Sequence, residues 1–301
     1  MPQANHYPGA SRQRANVVVP FAGGAGELER LASVLDRLAL GPDDTLTIVD
    51  NAGVDRRPTG ASARVVTAHE VRSSYYARNR GADLGTAEWI VFLDADVVPV
   101  PDLLTRYLDP PPADEVAVLA GSVLDEPAPV GDHVPLAVRY SAYRGTLDHR
   151  NTLRGEWAYA QTANCAVRRA AFERVGGFRE SLRSGGDADL CYRLGRAGWS
   201  MEVRQDARAV HLSRATLRGL LAQRFRHGSG AAWLDRTWPG SAPGHGNWPG
   251  LVKWTFQSSA SSVGKLARGQ RNEAEVALMD LLVLWAMELG RLTPNRVRVR
   301  K

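Results

Sequence analysis

The sequence predicts an α/β fold: a mainly parallel, helix-covered sheet over the first two thirds of the chain, with a helical extension after it. Three observations carry this. From residue 15 to about 125, short β-branched apolar runs alternate with longer segments of helical spacing. The runs are apolar throughout, as strands covered on both faces are. After Thr216 only helical patterns remain.

Asn16-Val17-Val18-Val19-Pro20-Phe21 reads as a buried strand, followed by a helix over 27–40 with Leu28, Leu31, Leu35 and Leu38 on one face. Residues 46–50 read as a second strand, Val65-Val66 as a short third, 73–84 as a helix and 89–93 as a fourth strand. This β-α-β-β-α-β order places ligands at the carboxyl ends of the strands. Pro110-Pro111-Pro112 and 125–135 are breaks around a strand at 116–122. Helices are expected over 134–147, 169–175, 187–197 and 216–227, and a strand over 163–167. A Gly/Pro/Trp loop at 238–250 precedes two last helices. The expected organisation is a flexible start (1–14), one domain over 15–215 in two halves (about 15–125 and about 126–215), a helical region over 216–295 and a basic tail, 296–301.

With 301 residues, 44% of them hydrophobic, the chain can bury a core without a disulfide or metal staple. Charged residues at 23% and aromatics at 7% exclude disordered and disulfide-scaffold classes. Cys165 and Cys191 are too few for a four-ligand zinc site and read as buried small residues in a reducing compartment. The net charge of +6 is uneven, because residues 196–301 hold 17 Arg and Lys against seven Asp and Glu. That basic half faces phosphates or an anionic surface, or is simply solvated. The start shows no signal-peptide pattern. The longest apolar stretch, 277–289, is interrupted by Asp280 and Glu288 and falls short of the roughly 20 residues of a membrane span. A soluble chain, at most membrane-associated, is expected.

Asp94-Ala95-Asp96 directly follows the apolar run Trp89–Leu93. Two carboxylates leaving a strand end can reach one hard cation, or a cation and a ribose hydroxyl; the alternative is an exposed turn. In Gly185-Gly186-Asp187-Ala188-Asp189-Leu190 the glycines allow close approach of an acceptor, while capping of the following helix explains one of the two carboxylates as well. Asp50, with Asn51 after it, either accepts hydrogen bonds from a base or begins a turn. Gly23-Gly24-Ala25-Gly26 fails the dinucleotide fingerprint because the third glycine is missing. His211 reads as a ligand or as a satisfied core residue. Arg78 and Arg80 lie in a helix where solvation would suffice. Gln223, Arg224, Arg226 and His227 form a basic helix face able to neutralise a diphosphate. Trp233, Trp238, Trp248 and Trp254 offer a stacking surface or packed core.

Taken in order, these motifs resemble the inverting family 2 glycosyltransferases. Val17–Phe21 looks like the opening V-V-I-P-x-[YF] strand and Ile48-Val49-Asp50-Asn51 like V-V-D-[DN]. The stretch from Ala77-Arg78-Asn79-Arg80-Gly81-Ala82 to Glu88-Trp89-Ile90-Val91-Phe92-Leu93-Asp94-Ala95-Asp96 resembles A-R-N-x-G followed by E-[YW]-I-x-F-L-D-A-D. Arg174-Val175-Gly176-Gly177-Phe178 and Asp187 to Leu194 resemble V-G-G-F-D-E and E-D-x-D-L-x-x-R-L. The resemblance covers roughly residues 15–212.

It implies a GT-A fold, a Rossmann-like, mainly parallel mixed sheet flanked by helices with a C-terminal helical extension, and a metal-dependent, inverting transfer of one sugar from a nucleotide-diphosphate sugar, UDP-sugar favoured. It implies Pro20, Phe21, Asp50, Asn51, Arg78, Asp94 and Ala95 on the nucleotide-sugar, Asp96 and His211 on Mn²⁺ or Mg²⁺, and Asp187 as the base. Gly186, Asp189 and Arg226 fall on the acceptor side. Gly186 stands where a Glu usually precedes the catalytic Asp, so the base is Asp187 or Asp189. His227 replaces the Trp of the Q-x-x-R-W element of processive members, which points to single transfer. Expected partners are the donor and a small-molecule, lipid-linked or glycan acceptor, with no nucleic acid. The expected location is cytoplasmic, with peripheral association at the inner face of the membrane left open. Rival classes are a non-catalytic sugar-nucleotide or glycan-binding relative and another nucleotide-dependent enzyme.

Overall fold

The computed structural model describes residues 12–54, 58, 62–126, 134–144, 149–212, 216–244 and 248–297. The expected flexible start lies outside these apart from 12–14, as do most of the 125–135 break, the junction at 213–215 and tail residues 298–301.

Strand β1 (Ala15–Phe21) runs parallel to β2 (Thr45–Asp50) on one side and to β4 (Trp89–Leu93) on the other, and β3 (Arg64–Thr67) extends the sheet beyond β2. Their near-continuous Val/Ile/Leu composition suits this position, with helices on both faces. Helix α1 (Ala25–Leu35) buries Leu28, Leu31, Ala32 and Leu35 against one face, and Glu27 accepts from the Gly24 N–H at 2.7 Å to close its first turn. That contact gives the glycine-rich loop a capping role. Helix α2 (Ser74–Ala82), capped by the Ser73 hydroxyl, covers the other face.

Because β2 and β3 lie to one side of β1 and β4 to the other, the strand order reverses between β1 and β4. In open α/β sheets such a reversal opens a crevice beyond the strand ends. The sheet then becomes mixed: the full order is β3-β2-β1-β4-β7-β6-β8-β5. Here β5 is Val97–Pro99, β6 Val116–Asp125, β7 Asn164–Arg168 and β8 Ser200–His211. The pairs β4/β7, β6/β7 and β5/β8 are antiparallel and β6/β8 is parallel.

The β6/β8 register slips between Gly121 and Ser122, where β8 advances from Arg204 to Arg208. The vacated ladder bonds are taken by Asn164, whose amide donates to the carbonyls of Ser122 (3.0 Å) and Ala207 (2.8 Å) while its oxygen accepts from the Tyr107 hydroxyl (2.8 Å). The slip brings His211 opposite both Asp125 and Val97.

Helices α3 (Leu103–Leu108), α4 (Leu136–Arg144), α5 (Arg169–Arg174) and α6 (Gly186–Arg196) complete the domain. Three long helices follow: α7 (Leu217–Thr237), α8 (Trp248–Ala267) and α9 (Arg271–Arg291). Helix α7 runs ten residues past the expected end at 227, through Gly228-Ser229-Gly230. A Cβ at Gly228 would collide with the Met287 carbonyl, and one at Gly290 with the Phe225 carbonyl, so bare backbone lets α7 and α9 cross closely. The packing gained outweighs the weak helix propensity of glycine. The basic tail also begins later than expected: Asn295 is buried, and the Val297 N–H still donates to the Ser181 carbonyl at 3.1 Å.

Candidate active site

The first corner of the site lies at the carboxyl ends of β1, β2 and β4. Phe21 is buried and ends β1, with Pro20 half-buried before it. Asp50 is buried at the end of β2; its carboxylate accepts from the N–H groups of Ala52 (2.9 Å), Gly53 (3.0 Å) and Val54 (2.6 Å). Of its two expected roles, the turn is the one visible. Asn51 is clamped likewise, donating to the carbonyls of Ala68 and Val71 (2.8 Å for the second). Both shape the loop beside the β1 end.

Beyond β4, Asp94 pairs with Arg78 of α2. The guanidinium is buried, stacked over Tyr75 at 5.5 Å and Phe178 at 5.9 Å, so it is not the solvated surface arginine that its helix would allow. Its Nε is buried with no partner among the described residues. Burial pushes the Asp94 carboxyl up, Arg78 pulls it down, and nearby Asp96 adds to the rise. Ala95, half-buried, separates the two acids.

Asp96 turns to β8: its Oδ2 lies 3.5 Å from His211 Nε2, and His211 Nδ1 lies 3.3 Å from Asp125 Oδ1. His211 and Asp125 are buried, while Asp96 is more than a third exposed. Burial alone would push the imidazole down; its hydrogen bonds to Asp125 and Asp96 override that and hold it up to about 9. Asp125 was not among the expected site residues, although it ends an apolar strand as Asp50 and Asp94 do. A carboxylate behind one nitrogen of a histidine, with the other nitrogen facing an exposed carboxylate, is the arrangement that orients imidazole toward a metal. No group of three or more acidic, His or Cys side chains able by itself to hold a metal ion occurs among the described residues. A divalent ion held by Asp96 and His211 would displace the Nε2 proton of the imidazole and would need its remaining coordination from diphosphate and water, as Mg²⁺ commonly does. Arg224 of α7 also reaches this corner: burial lowers its pKa, and Asp125 is among the charges acting on it.

Across the crevice stands α6. Its N-cap is Gly185, at φ +80°, which puts Asp187 inside the first turn and not at the capping position. Asp187 is half-buried and accepts from the Ala188 N–H at 3.1 Å. Burial raises its carboxyl, with Arg78 pulling against this and Asp94 adding to it, so Asp187 shares the electrostatic field of the first corner. Gly186 donates its N–H to the Tyr75 hydroxyl at 2.8 Å, and a Cβ there would come within 2.7 Å of the Tyr75 ring. The aromatic ring thus fills the space that a side chain at 186 would need. Sequence reasoning had no signal for Tyr75.

Asp189 does not join the site. It is 0% exposed, with Oδ2 at 3.1 Å from Arg179 Nε and 2.9 Å from Arg193 Nε, and Oδ1 accepting from Trp238 Nε1 at 3.1 Å. This inward position corrects the expectation of an acceptor-side residue: on a helix two residues 200° apart cannot share a face. Arg226 lies half-buried in mid-α7, one turn before Gly230, whose backbone rests on Ser184. Asn295 ties down the same loop, accepting from the Arg183 and Ser184 N–H groups (3.2 and 3.0 Å) and donating to the Ser184 carbonyl (2.8 Å). The C-terminal helices thereby brace the start of α6. Of the four tryptophans, Trp238 is packed core and Trp233 lies in α7, so they form no shared loop surface.

The family described as glycosyltransferase like family 2 matches residues 34–230. Among curated proteins, the pre-mycofactocin glycosyltransferase of Mycobacterium tuberculosis is 30% identical over 93% of this chain, which spans 64% of that relative's length. The succinoglycan biosynthesis protein ExoA of Rhizobium meliloti is 29% identical over 72% of this chain and 68% of its own. Among solved structures, the mannosyltransferase PcManGT from Pyrobaculum calidifontis, in complex with GDP-Man and Mn²⁺, superposes with a TM-score of 0.64 at 19% identity, over 94% of this chain and 88% of that one. The sheet and its flanking helices thus form a GT-A fold, and the chain belongs to glycosyltransferase family 2.

Proposed function

We propose that the chain transfers a single sugar from a nucleoside-diphosphate sugar to an acceptor hydroxyl, with inversion at the anomeric carbon. The carboxylate–imidazole–carboxylate stack Asp96–His211–Asp125 beside Asp94, with Asp187 in the field of Asp94 and Arg78, is the observation that carries this reading. Asp96 and His211 would hold the divalent ion, Mn²⁺ or Mg²⁺. When bound, the ion neutralises charge developing on the leaving diphosphate. Arg78, fixed by its ion pair with Asp94, supplies positive charge beside the donor's diphosphate. Asp187 accepts the proton of the acceptor hydroxyl as its oxygen bonds to the anomeric carbon. The bond from that carbon to the diphosphate oxygen breaks on the opposite face, and configuration inverts. The raised carboxyl of Asp187 suits the task, since a base near the working pH takes a proton most effectively.

The donor is sought with a panel of UDP-sugars, and with GDP-mannose because the mannosyltransferase of similar fold is complexed with it. Thermal shift is recorded with and without Mn²⁺, and product is read by mass. A donor that stabilises the protein only with Mn²⁺ and yields a glycosylated product supports the reading. Stabilisation by every nucleotide regardless of metal would remove the metal site, and metal-dependent binding without transfer or donor hydrolysis would leave a binding relative.

A further inference from the structure

Helix α8 presents an uncovered apolar stripe. Trp248, Val252, Phe256, Val263 and Leu266 recur at intervals of four, four, seven and three residues, which places them within one face of a helix about 30 Å long. Phe256 is 73% exposed, Val263 65% and Leu266 54%. The adjoining edge, with Leu251 and Ser262, is buried, and Thr255 on it accepts from Trp285 Nε1 of α9 at 3.0 Å. Trp285 also meets Trp248 at 5.9 Å, and exposed Leu278, Leu282 and Leu289 flank it along α9. Single exposed apolar residues are ordinary, whereas a contiguous stripe marks an interaction surface.

Charge identifies the occupant. Helix α8 contains no Asp or Glu; Lys253 lies beside the stripe, Lys265 pairs with Glu273 of α9 at 3.9 Å, Arg268 follows in the turn and Arg271 opens α9. The acids of α9 that face the domain are engaged there, Glu275 with Arg139 and Asp280 with Arg144 of α4. An apolar helix face with an exposed lysine at its edge, arginines beyond its end and no acid of its own suits a helix lying in the headgroup region of an anionic bilayer. No helix among the described residues is long and apolar enough to cross a membrane, so the contact is one of lying on the surface. We propose that the α8 stripe, with the α9 leucines beside it, docks the protein on an anionic lipid surface. The proposal is independent of the catalytic reading.

The test is co-sedimentation of the full chain with phosphatidylcholine vesicles and with phosphatidylglycerol-containing vesicles. Binding about tenfold tighter to the anionic vesicles and weakened by salt is expected. In the double variant Phe256→Ser, Val263→Ser that binding should fall by about tenfold or more, with the far-ultraviolet circular dichroism unchanged. Quenching of tryptophan fluorescence by brominated lipid, expected in the unaltered chain, keeps the test decisive should the variant fail to fold. Absence of binding or of quenching, or undiminished binding by a folded variant, would overturn the proposal. So would a mass of two chains in light scattering that the same substitutions reduce to one, since the stripe would then pair copies of this protein.

Discussion

The tripeptide Asp-Ala-Asp occurs twice in the site, at 94–96 and at 187–189, and the two copies do different things. The first leaves a strand into a turn. Both of its carboxylates stay at the crevice, each more than a third exposed, one paired with Arg78 and the other facing His211. The second lies in the first turn of α6, where a helical period sends Asp187 to the crevice and Asp189 into the core between Arg179, Arg193 and Trp238. The same spacing of the same residues therefore builds a two-carboxylate corner on extended chain, and one reactive carboxylate plus one structural anchor on a helix.

This contrast can be broken at several points. The largest change is expected at Asp96→Asn, which should abolish the Mn²⁺-dependent rise in melting temperature given by nucleoside diphosphate; an unchanged rise would show that the strand-end copy is only a turn. Asp189→Ala comes next. It leaves two arginines without their buried partner and should cost about 3–5 kcal/mol in denaturant unfolding, whereas Asp187→Ala should cost below about 1 kcal/mol, because no ion pair is lost. Equal costs would erase the distinction between the two positions.

A smaller effect is expected at Tyr75→Phe, which strands the Gly186 N–H, a loss of about 1–3 kcal/mol felt where α6 begins. Turnover should drop about tenfold with KM for the donor unchanged. A rise in KM with kcat intact would instead place the phenol on the donor. The smallest change is in pH dependence. Burial raises the folded-state pKa of Asp187, so the protonated, idle form persists above the usual carboxylate range, and kcat should climb with pH through that raised value. A limb at the ordinary Asp position in the kcat profile would mean that the titrating base is a solvated group.

Much of the first corner was legible because a strand covered on both faces advertises its own end. Trp89-Ile90-Val91-Phe92-Leu93 is apolar without interruption, so the acids after it must lie at the sheet edge. Asp125 ends a strand in the same way yet escaped notice, since the Pro-containing stretch after it drew it into a presumed break. Arg78 could be placed on its helix, but only the tertiary fold shows that Tyr75, Phe178 and Asp94 enclose it. The helix expected to end at 227 continues through Gly228 and Gly230, which mark where α9 and Ser184 come closest. The helix expected over 187–197 already sets Asp187 and Asp189 about 200° apart, but only the packing of Arg179, Arg193 and Trp238 around Asp189 shows which of the two turns inward. Short β5 has too few residues to show any period.

The account turns most directly on Asp187→Asn and Asp189→Asn measured side by side for turnover and melting temperature. The account predicts a crossed result. Asp187→Asn should lose turnover by something like 10²–10⁴-fold, because an amide cannot take the proton, while its melting temperature is kept or slightly raised. Asp189→Asn should melt markedly lower and, while folded, keep most of its turnover. If Asp189→Asn loses turnover at an unchanged melting temperature and Asp187→Asn remains active, the base lies two residues later and the division between the two carboxylates is wrong.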